Sequence, residues 1–259
     1  MSYWMRRLRA ALPWLIVGML SSGVVLLARL PAAWIAPQFA RATQGHVNLI
    51  DPEGSLWHGS ATLMLAAGQD ARGATLLPGR IVWRTAFWPL FVARVRMEML
   101  QTEAMPDAVT VDASLRGANV SAGTIDVPAS LLAGLGAPFN TLDLGGKVRL
   151  TWSPWRVFGT DAFGRLTVSL ADMSSRVSLV KPLGTYQVVL QAQGATSTLD
   201  LSTQKGPLML EGRGSFSRAS ASFQGTASAA PDQRDNLAGL LNLLGRPVGP
   251  GTVALTFMR

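Results

Sequence analysis

From Val109 onward the chain repeatedly alternates apolar with polar residues, and a period of two restricts such a chain to β-structure with one face on a core. Val109, Val111, Ala113 and Leu115 alternate with Thr110, Asp112, Ser114 and Arg116. Val148, Leu150 and Trp152 alternate with Lys147, Arg149 and Thr151. The pattern returns at Leu166, Val168 and Leu170, at Tyr186, Val188 and Leu190, and at Leu199 and Leu201. It returns again at Leu208 and Leu210 and at Val253, Leu255 and Phe257. Glycines such as Gly117, Gly146, Gly164, Gly194 and Gly206 fall between the runs, where turns need them. Short strands with one wet face predict antiparallel meanders rather than βαβ units, so the fold class is mainly β.

Two short helices are expected within the sheet. Asn236 to Leu244 carries Leu237, Leu240, Leu241 and Leu244 on one helical face, with Asp235 placed to cap its start and Gly245 and Pro247 to end it. Leu131 to Leu135 is similar, with Pro128 before it and Gly136 after it. The two segments resemble each other beyond the helix. Leu131-Leu132-Ala133-Gly134-Leu135-Gly136-Ala137-Pro138 precedes a strand opening at Gly146, and Leu240-Leu241-Asn242-Leu243-Leu244-Gly245-Arg246-Pro247 precedes one opening at Gly251. This predicts two related antiparallel β-rich modules, 46–152 and 153–259, each with a short helix near its end.

Upstream, Ala10 to Ala28 is free of charge. As a helix it is about 28 Å long, matching a bilayer core of roughly 30 Å. Arg6, Arg7 and Arg9 precede it and no acid lies before it, which by the positive-inside rule keeps the N-terminus cytoplasmic. Trp14 lies near one end of the run, where indole suits the headgroup region. The expected organisation is a tail over 1–9, a single transmembrane anchor over 10–30, a linker over 31–45, and the two modules beyond the membrane. A cleaved signal peptide is the competing reading, but the run is longer than the usual signal core.

Composition narrows function. Cysteine is absent, which removes disulfide, thiolate and zinc–cysteine chemistry. The net charge is +8, and four of the 23 basic residues, Arg6, Arg7, Arg9 and Arg29, bracket the apolar run. The remaining arginines are scattered among acids with no basic stripe, so nucleic acid is not an expected partner. His46 and His58 lack metal-ligand spacing, and no cofactor or metal is expected. No nucleophile elbow or phosphate-binding loop occurs. An enzyme reading would rest on His58 and Ser60 alone, and the chain is expected to be non-catalytic. Residues 80–91 are the most aromatic stretch, to be read as core or as docking surface.

A set of stretches, in order, resembles the type II secretion system protein N family of Gram-negative bacteria. They are Leu30-Pro31-Ala32, Gly54-Ser55-Leu56-Trp57-His58-Gly59-Ser60-Ala61, Pro78-Gly79-Arg80 with Trp83, Pro182-Leu183-Gly184-Thr185-Tyr186, Leu201-Ser202-Thr203 with Gly206-Pro207-Leu208, and the Leu240–Gly245 helix. The resemblance implies a bitopic inner-membrane protein with a periplasmic body. Its implied role is assembly or scaffolding in the machine that carries folded exoproteins across the outer membrane. The implied partners are other inner-membrane components of that machine, and no catalytic residue carries over. Trp57, Trp83, Phe87 and Trp88 are the candidate partner contacts. The alternative is an envelope protein that binds phospholipid in an apolar β-groove.

Overall fold

The computed structural model describes residues 29–67, 73–136 and 139–258, together with positions 19, 21–23 and 25. Most of the anchor expected over 10–30, together with Arg6, Arg7, Arg9 and Trp14, lies outside the described residues. Among the described residues no helix is long and apolar enough to cross a membrane.

The described strands form one antiparallel sheet. In chain order they are β1 (Val47–Gly54), β2 (His58–Leu65), β3 (Thr75–Leu76), β4 (Ile81–Ala86), β5 (Arg94–Gln101) and β6 (Val109–Ser114). Next come β7 (Gly117–Val120), β8 (Gly123–Pro128), β9 (Leu144–Trp152), β10 (Trp155–Phe158), β11 (Asp161–Ser175) and β12 (Gly184–Gly194). The last are β13 (Thr196–Lys205), β14 (Leu208–Phe216), β15 (Ala221–Ala229), β16 (Arg246–Gly249) and β17 (Thr252–Met258). Nearly every strand pairs with its neighbours in sequence, so the chain zigzags once across the whole sheet, as the short turns predict.

The expected module boundary, 152/153, falls at a kink. The strands β7–β8 and β9–β10 break at adjacent points, 121–122 and 153–154, and resume in one register: Gly123 opposes Trp152 and Val120 opposes Trp155. Pro154 lacks the N–H that an unbroken ladder would use. The two halves are not separated there. β7 pairs with β10 and β9 pairs with β11, so the hydrogen-bonded sheet runs straight across the boundary.

The register gives the sheet two ends. At the near end lie the turn after β1, the connection between β4 and β5, and the tight turns at 115–116 and 159–160. At the far end lie the longer connections that hold the helical segments. A 3-10 helix, Ala129–Leu135, joins β8 towards β9, and an α-helix, Arg234–Leu244, joins β15 towards β16. The first also reaches β2 and β3: Thr75 Oγ1 donates to Leu131 O at 2.9 Å. A side chain at Gly134 would lie 2.6 Å from Leu65 O. The sheet therefore curls between β2 and β9, and Gly134 permits that close approach.

The apolar residues picked out by the alternation fill one face. Val148, Met173 and Tyr186 are buried together, with Leu150, Val168, Leu170 and Leu201 around them. Leu237, Leu240 and Leu241 of the far-end helix are buried against Leu183, Leu208, Ala227 and Val253. Leu144 and Leu210 touch both groups and make them continuous. A separate cluster joins Ala32, Ala61 and Trp83 in the first half.

Four expectations are corrected in detail. The stretch 31–45, expected as a linker, holds a 3-10 turn (Ala32–Trp34) and a helix (Ile35–Ala42), with Ala32 buried on the sheet. Pro37 is tolerated because it sits in the helix's first turn, where its missing N–H has no intrahelical partner. The C-terminal helix starts earlier than Asn236, at Arg234; Gln233 is the N-cap residue and Asp235 lies inside the first turn without capping. The helix at 131–135 is a 3-10 segment. Leu115, read as the continuation of a strand, stands in the turn after β6 and is 91% exposed.

Candidate functional site

The stretches that carried the family resemblance converge on two packing centres. In the first half, Gly59 opposes Trp83 across β2 and β4. A side chain at Gly59 would lie 2.5 Å from the Trp83 ring and 2.8 Å from both Glu53 O and Ser55 O. Only glycine lets the indole lie flat there. Trp83 Nε1 donates to Ser55 O at 3.3 Å, and Ser55 bridges to Pro31. Leu56 N donates to Leu30 O at 2.9 Å, tying the start of the described fold to the same point. Arg80 Nε donates to Ser60 Oγ at 3.1 Å, and its guanidinium lies 3.5 Å from Glu53. Gly79 takes a left-handed φ of 78° beside the buried Gln101, whose amide donates to Pro78 O.

In the second half, Gly184 and Gly206 bring their backbones into contact, and Gly206 has a φ of 132°. The Tyr186 hydroxyl donates to Leu208 O at 3.0 Å, and Leu208 N donates to Leu183 O at 3.0 Å. Burial pushes the Tyr186 phenol well above its ordinary range, so it stays a neutral donor. These motif residues hold strands together. None of them is arranged around a reactive group.

Among the described residues no hydrogen bond joins His58 to Ser60. His58 is exposed at the start of β2, and Ser60 Oγ is engaged by Arg80. Among the described residues no cluster of three or more histidines and acids could hold a metal. One open depression, about 860 Å³, is lined by Asp200, Ser202, Glu211, Arg213 and Gln224 together with Leu201.

The aromatic stretch divides between core and surface. Trp83 and Trp57 are 4% and 8% exposed. Phe87 is half-buried and meets the Trp57 ring edge-on at 5.2 Å. Beyond it the 3-10 turn Trp88–Val92 carries Trp88 at 80%, Phe91 at 72% and Val92 at 69% exposure. Phe91 contacts both Phe87 and Trp88, at 5.5 and 5.7 Å between ring centres. Of the four candidate contacts, the structure leaves Trp88 open, half-covers Phe87, and buries Trp57 and Trp83. Phe91 and Val92 belong to the same surface and were not singled out from sequence. Trp88-Pro89 was the available signal, because a proline after an alternating strand marks where the chain leaves the sheet.

Against known families, one model matches: type II secretion system (T2SS), protein N, over residues 45–256. Comparison with curated proteins and with solved structures returned no match.

Proposed function

Because the chain belongs to the type II secretion system protein N family, we propose that it is a non-catalytic assembly or scaffold subunit of the secretion machine. In this reading the apolar run Ala10–Ala28 is a single-pass anchor in the inner membrane, with the sheet in the periplasm. The single observation that carries the reading is the family match, which spans the sheet from just before β1 to within β17.

The sheet's edges bear on how such a subunit meets its partners. A free strand edge recruits other strands unless it is blunted. β1 carries Pro52, a left-handed Asp51 and a register shift between Ile50 and Glu53. The opposite edge ends in β16, four residues with Pro247 and Gly249. Both edges are poor templates for strand addition, which leaves faces and turns as the contact surfaces.

The test is photo-cross-linking of the full chain in its native membrane, from exposed positions on the sheet, with recovered proteins identified by mass spectrometry. Other components of the secretion machine are expected among them, together with loss of exoprotein export when the chain is deleted. Recovery of none, with export unchanged, overturns the proposal. Protease treatment of spheroplasts checks the topology: the sheet should be degraded from outside the inner membrane.

A further inference from the structure

The near end of the first half gathers exposed apolar side chains. Trp88, Phe91 and Val92 project from the 3-10 turn after β4. Next to it, Arg94 opposes Ser114 at the end of β6, which places the exposed Leu115 beside the aromatic turn. The turn after β10 brings the exposed Phe158 against Gly117, immediately beyond. The three tips, 87–94, 115–116 and 158–160, contain no acidic residue, and two of them carry an exposed arginine, Arg94 and Arg116. Among the described residues neither arginine is in an ion pair.

The same end receives the chain from the apolar run. Leu30, two residues after the run ends at Ala28, accepts the Leu56 N–H. Trp57, next to Leu56, stacks edge-on with Phe87, and Phe87 with Phe91. Two side-chain contacts therefore separate the membrane-side entry of the fold from the exposed rings. A bilayer that holds the run at 10–28 lies against this end.

We propose that these tips form a membrane-docking surface that seats the sheet on the outer leaflet of the inner membrane, with Trp88, Phe91, Val92 and Leu115 at headgroup depth and Arg94 and Arg116 on anionic headgroups. This rests on the anchor reading above. Tryptophan and phenylalanine suit the interfacial layer, and arginine near an anionic surface adds attraction that salt weakens. The seat would fix the sheet's orientation relative to the anchor.

The chain has no cysteine, so single labels are straightforward. The full chain with Phe91→Cys, Leu115→Cys or, at the far end, the exposed Leu179→Cys carries a nitroxide and is reconstituted into phosphatidylethanolamine–phosphatidylglycerol vesicles. Labels at 91 and 115 should be reached by oxygen and shielded from a water-soluble nickel chelate, and the label at 179 should show the reverse. A label at 91 as open to nickel as the one at 179 overturns the docking surface. If it becomes shielded only when envelope proteins are added, the surface belongs to a protein partner and the proposal also fails. Carbonate washing of the same vesicles separates the two readings, because release of the chain sinks the anchor. In that case co-flotation with vesicles reads the tips directly. Trp88→Asp with Phe91→Asp, or Arg94→Glu with Arg116→Glu, should each lower flotation by about tenfold. Unchanged flotation in both, with native circular dichroism, overturns the proposal.

Discussion

Trp83 in the first half and Tyr186 in the second hold comparable places. Each ring lies over a glycine, Gly59 or Gly184, and each donates its polar hydrogen to a backbone carbonyl, Ser55 O or Leu208 O. They differ in cover. Trp83 is roofed by Ala32 of the 3-10 turn and by the half-buried Ile35, the latter from a helix that buries none of its own residues. Tyr186 packs with Ala129, Val148 and Met173 in a core that Leu144 and Leu210 make continuous with the one beneath the C-terminal helix, where Leu237, Leu240 and Leu241 are all buried. One packing device is therefore used in a thin layer and again in a thick one. The thick layer is where apolar burial concentrates. The thin one sits at the entry of the chain, beside the exposed aromatic turn.

The strongest way to break this comparison is to remove apolar bulk from each roof. Leu237→Ala should cost about 2–5 kcal/mol, because the side chain is fully buried and leaves a cavity. Ile35→Ala should cost less, about 1–2 kcal/mol, because only part of that side chain leaves water on folding. Urea unfolding of the two variants in detergent gives the ratio. Equal losses would show that the first roof is as tightly packed as the second, and the contrast would fall.

The contrast also explains what the sequence made legible. In the second half most of the core is built from Leu and Val on alternating positions, so β11 to β14, β17 and the Leu237/Leu240/Leu241 stripe could be read directly, whereas β15, which meets the core with Ala227 and Ala229, could not. In the first half the fully buried positions beside Trp83 are the small Ala61 and Ala32, with Gly59 opposite the ring, while the larger Leu49, Ile81, Met97 and Met99 are only partly buried. Gly59 and Ala61 carry little hydrophobic signal, so β2 showed no clear alternation at its start. The helix at 35–42 was hidden by Pro37, which reads as a breaker unless it falls in the first turn. Gly134 reads as a flaw in a helix, and its cause is a contact with Leu65 O from a strand distant in sequence. Trp83 and Trp88 share one aromatic run, and which of them is buried depends on the turn that begins between them. The likeness between the two helix-and-strand segments has a counterpart in topology: β8 and β9 flank the 3-10 segment as β15 and β17 flank the α-helix. The proposal that the halves are copies of one module rests on that likeness.

The two donated hydrogens sharpen the comparison at a finer scale. Tyr186→Phe keeps the ring and removes the bond to Leu208 O, at a cost of about 1–2 kcal/mol. It also changes the alkaline limb. The phenol is pushed above its ordinary value in the fold by burial, so its contribution is complete below the unfolded value of about 10 and is lost as pH rises above it. The wild-type protein should therefore lose stability relative to Tyr186→Phe above about pH 10, by at most about 1.4 kcal/mol per pH unit. Parallel alkaline limbs would mean that the hydroxyl reaches water in the native state.

The smallest effect concerns cross-strand pairs of arginine and aspartate, of which the first half carries Arg96–Asp112 and Arg149–Asp126 and the second half Arg213–Asp200. Asp126 on β8 accepts two bonds from Arg149 on β9, at 2.7 and 3.0 Å, whereas Asp200 on β13 faces Arg213 on β14 at 3.2 Å. All four side chains are largely exposed, so neither pair adds much to stability. The hydrogen bonds from Arg149 hold the Asp126 carboxyl below its ordinary value. A depressed carboxyl contributes its stability above the unfolded value of about 4, and loses it as pH falls through the lower folded value. The difference in melting temperature between wild type and Asp126→Asn should be small and positive near neutral pH, and should shrink towards zero on acidification. High salt should reduce it at every pH, since exposed pairs are screened. Asp200→Asn should give the weaker response, because its pair has one close approach in place of two bonds. A larger response at Asp200 would mean that the thicker half also fastens its polar face more tightly, and that cover alone does not separate the two regions.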